Sequence, residues 1–340
     1  MGSIGVNVER WPQVSCVVPV LDDASALPRA VSSILLQEYP GELTVVLAVG
    51  PSSDDSERVA EELASSDDRI QVVANPTGGT AAALNAAIAA APGEVIARVD
   101  ARSVVGTDYL RTAVELLHST GADNVGGMQI AEGETTFQRA VATAMSSPFG
   151  AGDARFRIGG EPGPTDSVYL GVFRRAALER IGGFDETLVR NQDYELNIRL
   201  RETGGIVYFD PRLRVTYTPR SSLRSLARQY YQYGMWKQVV VRRHPRSLRS
   251  RQALPPLAVA AHAAAILLAL AGRRRALAAP LVYLAATLAA AAVAGKGQPW
   301  PVVARLPLVF ATMHHCWGVG FLVSGIVSLR PRDRAPTVPG

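Results

Sequence analysis

The chain has 340 residues, of which 48% are hydrophobic and 6% aromatic, and it carries a formal net charge of +5. This length allows one large domain with an appendage. The sparse aromatic residues and the lack of a recognised nucleic-acid motif in the sequence exclude a nucleic-acid partner. The two cysteines, Cys16 and Cys316, lie too far apart for a metal-site spacing or a disulfide framework. Residues 1–13 have no apolar core, so we expect no signal peptide there.

Residues 14–130 alternate apolar runs with segments of helical spacing. The apolar runs predict strands at 14–20, 43–49, 70–73, 95–99 and 124–130, and the spacing predicts helices at 24–37, 56–63, 80–91 and 108–119. Asp22 or Asp23 is a candidate cap for the first helix. Strands that alternate with helices pair in parallel, so the pattern predicts an α/β fold with a mostly parallel, doubly wound sheet flanked by helices.

The middle of the chain is less regular. Residues 150–166 are rich in Gly and Pro and are predicted to form a loop, and long loops in compact domains often act as lids. Beyond it we predict a strand at 167–173, helices at 174–181 and 193–202, and a strand at 206–209. Residues 223–243 have the spacing of a long amphipathic helix rich in Arg, Tyr and Gln.

Apolar segments at 254–271, 276–295 and 306–329 close the chain, and each is close to the roughly 20 residues that span a bilayer. We predict membrane helices, with a soluble helical subdomain as the alternative. The arginines before Leu254 place the first domain in the cytoplasm. Because Arg273–Arg275 would then lie outside, a hairpin of the first two segments that returns to the cytoplasmic side is a second alternative.

Two further expectations concern the apolar segments. His314 and His315 are adjacent and cannot share one helix face, so we expect one of them to pair with a neighbour. Helices rich in Ala and Gly pack closely together, which would suit a homo-oligomer.

Asp100 is the most informative residue of the first half. It ends a buried strand of an α/β unit, which is where such folds bind ligands. An unpaired buried charge costs several kcal/mol, so a packing role does not explain a carboxylate there. We predict that Asp100 binds a cation or a phosphate-bearing ligand, and a helix cap or turn residue is the alternative.

A series of motifs occurs in a characteristic order along the chain: VVPVLDD, NPTGG…LNAAI…GEVIARVDAR, YLGVFRR, IGGFDE, NQDYELNIRL and QYYQYGMWK. This order resembles the inverting family 2 glycosyltransferases of the GT-A fold. The most similar branch is the succinoglycan type, which comprises membrane-attached enzymes that build cell-surface polysaccharide on lipid carriers. The resemblance covers about residues 14–237 and the apolar tail.

The resemblance implies a nucleotide-sugar donor and a divalent metal, Mn²⁺ or Mg²⁺, at Asp100. The second acid of the family's metal motif is replaced, since the triplet reads Asp100-Ala101-Arg102. One carboxylate with the donor phosphates still suits such an ion. Alternatively, the guanidinium of Arg102 contacts the diphosphate. Arg98 could do the same, or could pair with an acid from its place in the strand.

The resemblance also implies a nucleotide-binding side near the ends of the first strands. Gly50 stands where many members have an Asp that reads uracil, which weakens the assignment of UDP. Asp54 is equally well explained as a cap of the next helix, and Asn85 as an amide that packs its helix. The implied residues of this side are Pro19, Val20, Leu21, Asp23, Gly50, Asp54, Asn85, Arg98, Asp100 and Arg102.

Asp193 matches the family's catalytic acid, the base that deprotonates the acceptor hydroxyl. Gln192 precedes it where the family usually has Glu, and an N-cap is the alternative for Asp193. The acceptor-binding residues implied by the resemblance are Asp166, Tyr169, Gly171, Gln192, Gln229, Tyr233, Trp236 and Lys237. The helix that holds the last four could instead lie on the membrane interface.

These observations predict an enzyme that transfers a hexose, with inversion, from a UDP-linked donor to a lipid-linked saccharide at the membrane. The alternatives are a polyprenyl-phosphate sugar synthase and a degenerate transferase that acts as a binding or scaffold protein. Its partners would be the donor, the lipid-linked acceptor and membrane lipids. The expected domains are a GT-A domain at 1–220, an interface helix and linker at 221–253, membrane helices at 254–330 and a tail at 331–340.

Overall fold

The computed structural model describes residues 10–327, and they form two compact units. The first unit contains residues 10–130 and Gly159–Tyr217, and the second contains Ala131–Ile158 and residues 218–327. The chain therefore leaves the first unit after Ile130 and returns to it at Gly159. The predicted tail, the last two residues of the third apolar segment and residues 1–9 lie outside the described residues.

The elements follow one another in this order. The strands are β1 (Val14–Val20), β2 (Leu43–Val49), β3 (Ile70–Ala74), β4 (Val95–Arg98), β5 (Val104–Val105), β6 (Asn124–Ala131), β7 (Gly163–Pro164), β8 (Tyr169–Arg174) and β9 (Val207–Tyr217). The helices are α1 (Leu27–Leu35), α2 (Ser56–Ser66), α3 (Thr80–Ala90), α4 (Tyr109–Thr120), α5 (Thr136–Met145), α6 (Pro148–Ala151), α7 (Arg155–Ile158), α8 (Arg175–Ile181), α9 (Gln192–Glu202), α10 (Leu223–Arg243), α11 (Ser250–Leu270), α12 (Ala278–Ala294), α13 (Trp300–Val303) and α14 (Leu306–Val327).

All nine strands form one sheet in the order β3-β2-β1-β4-β8-β6-β9-β5, with β7 paired to β9. β1 pairs in parallel with β2 and β4, and β2 pairs in parallel with β3. β8 runs antiparallel to β4 and β6, and β9 runs antiparallel to β5 and β7. The predicted α/β fold is confirmed, but the sheet is mixed. Strands β1 to β4 pair in parallel. Strand β8 lies between β4 and β6, which point the same way, and is antiparallel to both.

The first four strands form because their runs are apolar throughout, as expected when helices cover both faces of a sheet. Six of the seven residues of β1 are buried, and Cys16 is among them. Burial raises the pKa of the Cys16 thiol, so this cysteine is a core residue of low reactivity. The buried side of α1, with Leu27, Val31 and Ile34, packs into the same core.

The structure departs from the predictions mainly between residues 131 and 217. Helix α5 was not predicted, although Thr135 and Gln138 form a capping box that begins it. The predicted loop at 150–166 contains α7 and β7, and β9 extends well beyond the predicted 206–209. Short elements with Gly and Pro have no clear apolar period, which is why the sequence pattern missed them.

The second unit is helical. Helix α14 packs against α10 and α11, and α5 packs against α13 and α14. The backbones of α10 and α14 approach so closely that a Cβ on Gly234 would lie 1.9 Å from the carbonyl oxygen of Trp317. A Cβ on Gly320 would likewise lie 2.1 Å from the carbonyl oxygen of Tyr231. Two glycines facing in this way permit the close helix crossing.

Within residues 10–327, three helices of the second unit are long and apolar enough to cross a membrane. They are Ser250–Leu270 and Arg274–Ala294, each with a mean hydropathy of 2.0, and Trp300–Ile326, with 1.4. In the 18-residue apolar stretch of each segment, only 11% of the residues are buried in the first two, against 33% in the third. The apolar surface of α11 and α12 is therefore exposed, whereas α14 packs more extensively within the unit.

Polar side chains connect these apolar helices. His262 of α11 lies 3.0 Å from His315 of α14, and Tyr283 of α12 lies 3.0 Å from His314. His314 Nε2 also lies 2.8 Å from the carbonyl oxygen of Phe149. We expected one of the adjacent histidines to pair with a neighbour, and both of them do.

Candidate functional site

The carboxyl ends of β1, β2, β3 and β4 meet at one edge of the sheet, because these strands are parallel. Open α/β sheets bind ligands at this edge. Most residues predicted for the donor side end one of these strands or follow it directly. They are Pro19, Val20, Leu21, Asp23, Gly50, Asp54, Arg98, Asp100 and Arg102.

Arg98 ends β4, and its guanidinium binds two carboxylates. Its Nε donates to Asp100 Oδ1 over 2.8 Å, and its Nη1 forms an ion pair with Asp193 Oδ1. The side chain of Arg98 is 8% exposed, whereas those of Asp100 and Asp193 are 34% and 35% exposed. The structure thus brings two predicted site carboxylates from distant parts of the chain to one cation.

Asp193 lies in the first turn of α9. The N-cap of this helix is Asn191, which has a φ of 63° in the left-handed region that Asn adopts more readily than most residues. Asp193 is therefore not the N-cap. Burial raises the pKa of Asp193; Arg98 opposes this shift and Asp100 adds to it, and the net pKa lies above the ordinary value.

Arg98 remains a cation in this environment. Its burial disfavours the charge, but the carboxylates of Asp100 and Asp193 outweigh that effect, and the pKa of the guanidinium is raised. Of the two predicted roles for Arg98, the structure shows the pairing with acids, and its contact with a donor stays a prediction.

Arg102 binds the segment that follows β1. Its Nε forms an ion pair with Asp23 Oδ1, and its Nη2 donates to the carbonyl oxygen of Asp22 over 3.0 Å. Neither aspartate caps α1, which begins after Ala26 without a side-chain cap. Because the Arg102 side chain is 58% exposed, its guanidinium is accessible to an anionic ligand.

Tyr169 begins β8 on the same side of the site. Its hydroxyl lies 3.4 Å from Ser103 Oγ, with Gln129 as a further polar neighbour, and its ring meets Tyr217 edge to face. Burial raises the pKa of Tyr169, and the charge of Asp100 raises it further. The hydroxyl therefore stays protonated and can donate to a ligand.

Gln129 of β6 was not predicted from the sequence. It is 7% exposed, and its Oε1 has no hydrogen-bond partner among the residues that the structure describes. A buried polar atom without a partner costs free energy and is often satisfied by a ligand or a water. The one signal in the sequence was a polar residue inside a strand whose other residues, apart from Asn124 at its start, are apolar or glycine.

Two donor-side predictions had structural alternatives. The contacts favour the alternative for Asn85, whereas Asp54 lies one residue before Asp55, the N-cap of α2. Asn85 of α3 donates to the carbonyl oxygen of Phe184 and to Glu186 Oε1, and its Oδ1 accepts from the Phe184 amide, all within 2.9 Å. Asp54 accepts hydrogen bonds from the amides of Ser56 and Ala24 at 3.0 Å. Their polar atoms thus hold the local fold, and nucleotide contacts by either residue stay predictions.

Five other predicted site residues of the first unit lie at strand ends or inside a strand, and they differ in how exposed they are. Pro19 and Val20 end β1, and Leu21 beyond them is 40% exposed. A Cβ on Gly50 would lie 3.1 Å from Leu21 Cδ1, so these two positions are neighbours. Gly171 lies inside β8, where a Cβ would lie 2.4 Å from Asn124 Oδ1. Gly171 is therefore required by the packing of the sheet, and its acceptor contact stays a prediction.

Gln192 and Asp166 are the last predicted acceptor residues of this unit. Gln192 is 7% exposed and donates to the carbonyl oxygen of Val189 over 2.7 Å. Asp166 is half-buried between β7 and β8. Both predicted roles remain untested by these contacts.

The other acceptor predictions fall on α10 in the second unit. Gln229 Nε2 donates to the Tyr233 hydroxyl over 3.0 Å. Trp236 and Lys237 are each 2% exposed, and Lys237 Nζ donates to the carbonyl oxygen of Ser247 over 3.2 Å. The indole Nε1 of Trp236 has no hydrogen-bond partner within residues 10–327.

Asp100 is the donor-edge residue best suited to a divalent ion. Among residues 10–327, no three His, Cys, Asp or Glu side chains are grouped so that they could hold a metal by themselves. Mg²⁺ is commonly bound by one or two carboxylates together with substrate phosphates. The partly exposed carboxylate of Asp100 fits that arrangement, in which a donor diphosphate supplies the other ligands.

Several known proteins are similar to this chain in sequence or in fold. Residues 15–182 match the family model described as Glycosyl transferase family 2. The chain is 31% identical over 308 residues to succinoglycan biosynthesis protein ExoA of Rhizobium meliloti (strain 1021). The alignment covers 90% of this chain and 92% of that relative.

Two further similarities are more distant. A dolichyl N-acetyl-alpha-D-glucosaminyl phosphate 3-beta-D-2,3-diacetamido-2,3-dideoxy-beta-D-glucuronosyltransferase of Methanococcus voltae is 22% identical over 68% of this chain and 74% of its own length. The solved structure of mannosyltransferase PcManGT from Pyrobaculum calidifontis, in complex with GDP-Man and Mn²⁺, superposes with a TM-score of 0.61. The two sequences are 19% identical, and the superposition covers 94% of this chain and 88% of the PcManGT chain. This similarity shows a shared fold.

Proposed function

Because this chain belongs to glycosyltransferase family 2 and has a GT-A-like fold, we propose that it transfers a hexose from a UDP-linked donor to a lipid-linked saccharide, with inversion. One observation carries the proposal. Arg98 binds both Asp100 and Asp193, so a donor-side carboxylate and a base are held at the same end of β4.

Asp193 acts as the general base. Its carboxylate accepts the proton of the acceptor hydroxyl while that oxygen forms a bond to the anomeric carbon of the donor. The bond between the anomeric carbon and the diphosphate oxygen breaks, and the nucleoside diphosphate leaves with the bonding electrons. Attack opposite the leaving group inverts the anomeric carbon. The raised pKa of Asp193 makes it a stronger base than an ordinary aspartate.

The diphosphate is bound at the carboxyl edge of the sheet. Arg102 is exposed there, and its guanidinium offers the fork of donors that suits phosphate. Asp100, with the diphosphate oxygens, would hold a divalent ion, Mn²⁺ or Mg²⁺. Such an ion, when bound, neutralises charge that develops on the leaving group. The PcManGT structure contains Mn²⁺, which supports this assignment.

The acceptor and the location follow from the relatives and the apolar helices. The names of the two relatives refer to succinoglycan biosynthesis and to a dolichyl-linked sugar phosphate, which supports a lipid-linked acceptor in cell-envelope polysaccharide synthesis. Three apolar helices would hold the second unit in the membrane. The arginines before α11 favour a cytoplasmic catalytic unit.

A polyprenyl-phosphate sugar synthase is a second candidate. In that reaction the acceptor is an ionised lipid phosphate, which needs no strong base. Asp193 forms an ion pair with Arg98, and this pairing is the observation that favours a smaller role for it. The two candidates therefore differ in how much the reaction depends on the Asp193 carboxylate.

Product analysis tests the proposal. The purified full chain in nanodiscs is incubated with Mn²⁺, extracted lipid-linked saccharides and a panel of UDP- and GDP-hexoses, and the lipid products are identified by mass spectrometry. We expect a UDP-hexose to add one hexose to a lipid-linked saccharide, and Asp193→Asn to slow the formation of this product by at least about 100-fold. Transfer only to polyprenyl phosphate, unaffected by Asp193→Asn, would support the second candidate. No donor binding in calorimetry would indicate a degenerate scaffold protein.

A further inference from the structure

The predicted contact of Arg98 with the donor does not explain why this buried arginine pairs with both Asp100 and Asp193. We propose that Arg98 is a positioning residue, which holds the carboxylate of Asp193 at the donor end of β4 through its simultaneous ion pairs with Asp193 and Asp100. The inference rests on the proposed function, in which Asp193 is the base.

Arg98 is suited to this role because its own position is fixed. β4 lies between β1 and β8 in the sheet, and all of its residues are buried. The guanidinium is planar and presents several N–H donors in a rigid fork. It binds Asp100 through Nε and Asp193 through Nη1, so the direction of both carboxylates is set from one buried group.

Asp193 needs such a partner. It lies in the first turn of α9, and its side chain is 35% exposed. Its other charged neighbour is Asp100, which repels it. Two carboxylates that share a site separate or take up a proton unless a cation lies between them. The guanidinium of Arg98 is that cation, since it contacts both carboxylates.

Arg98 and Arg102 differ in solvent exposure, and this difference indicates different roles for them. Arg98 is 8% exposed, and its hydrogen bonds are directed to carboxylates. Arg102 is 58% exposed at the edge of the sheet. An incoming diphosphate can reach Arg102 without displacing any buried group, whereas a contact with Arg98 would take it away from Asp193. We therefore expect the loss of Arg98 to affect turnover more than donor affinity.

The test compares Arg98→Met, which keeps the length of the side chain without its charge, with Arg98→Lys, which keeps the charge without the fork. We expect Arg98→Met to lower kcat about 100-fold, as a misplaced catalytic group does, while the calorimetric Kd for UDP-hexose with Mn²⁺ changes less than about threefold. Arg98→Lys should recover part of kcat. The double variant Arg98→Met/Asp193→Asn should have the kcat of Asp193→Asn alone, because both changes act on one group.

Arg175 provides the matched control. It is a partly buried arginine at the other end of β4, and its guanidinium donates to the carbonyl oxygens of Gly93, Ile88 and Ala91. Arg175→Lys should lower the thermal midpoint without changing kcat at a temperature well below that midpoint. If Arg98→Lys behaves like Arg175→Lys, Arg98 is merely structural. If Arg98→Met weakens donor binding and leaves kcat intact, Arg98 is a donor-binding residue. Either result overturns the proposal.

A double-mutant cycle on thermal stability, made without substrate, separates this proposal from the proposed function. The thermal midpoints of the wild type, Arg98→Met, Asp193→Asn and the double variant should be non-additive, since the residues are in contact. Additive midpoints would overturn the inference even in an active enzyme. A wild type that binds no nucleotide sugar overturns the proposed function, and the positioning role then falls with it even if coupling is measured. If Arg98→Met does not fold, Arg98→Lys replaces it in both experiments.

Discussion

Arg98 and Asp193 form an ion pair between the last residue of β4 and the first turn of α9, across 95 positions of sequence. The same guanidinium binds Asp100. Neither carboxylate is fully buried, so both remain within reach of a ligand while Arg98 is enclosed.

Asp193→Asn should lower kcat by about 100-fold to 10,000-fold with little change in donor affinity, because it removes a general base and keeps the size of the side chain. The base must be ionised, so the rate should fall as the pH drops through its pKa. Because that pKa is raised, the acid limb of kcat/KM should lie above the ordinary aspartate value of about 3.9. A pH–rate profile checks this expectation, and a limb at or below that value would contradict it.

Arg102→Ala should weaken donor binding by about tenfold and reduce its dependence on salt, since an exposed cation that contacts phosphate is removed. Calorimetry with UDP in low and high salt measures both effects. Arg69→Ala is the control, because Arg69 is also an exposed arginine paired with an aspartate, Asp67, but it lies directly before β3, away from the carboxyl edge of the sheet. Equal affinity of the two variants for UDP would show that Arg102 does not contact the diphosphate.

Removal of the metal should affect donor binding more than the fold. With one carboxylate available, Mn²⁺ should bind weakly to the free protein and much more tightly in the presence of UDP. Titration of Mn²⁺ by electron paramagnetic resonance, with and without UDP, measures this difference. Asp100→Asn should abolish it. Tight binding of Mn²⁺ without nucleotide would mean that further ligands complete the site.

Asn85→Ala should destabilise the first unit by about 1–3 kcal/mol, because the Phe184 carbonyl and amide lose their partner. Donor affinity at low temperature should not change, since the amide already has partners in the protein. Thermal melts and UDP calorimetry on the same preparation distinguish the two roles. A stable variant that has lost donor affinity would restore the nucleotide-binding assignment.

Gly234→Val should destabilise the second unit by more than about 3 kcal/mol, because the new Cβ would overlap the carbonyl oxygen of Trp317. The thermal midpoint and the monodisperse fraction after detergent extraction measure the effect. Gly325→Ala is the control, since a Cβ there lies 3.7 Å from Gln238 Nε2, an ordinary contact. Equal stability of the two variants would mean that α10 and α14 do not cross at Gly234.

The sequence predicts the first half of the fold well, because its strands are continuous apolar runs separated by helices of regular spacing. β1, β2 and α10 have the predicted bounds, and the family assignment and the α/β fold are confirmed. Helix α5 and the short elements after it were missed. Their boundaries depend on a capping box and on glycines, which give no apolar period.

The sequence indicated which residues to look for but not how they pair. The end of a buried strand indicated Asp100, the family resemblance indicated Asp193, and Arg98 was considered as a partner for an acid; their functional roles stay predictions. The pattern of apolar residues cannot predict that one guanidinium contacts carboxylates from two elements, because such contacts depend on tertiary packing. The same reason explains why the unpartnered Oε1 of Gln129 was not foreseen.

The path of the chain between the two units limits how the protein can be shortened. Residues 131–158 belong to the second unit, although the first unit resumes after them. A lipid-free fragment made by stopping at Tyr217 would keep α5 and α6 while losing the α13 and α14 surfaces against which they pack. A single stop codon therefore cannot release the first unit intact. A soluble version would need a short linker in place of residues 131–158 as well as a new C-terminus.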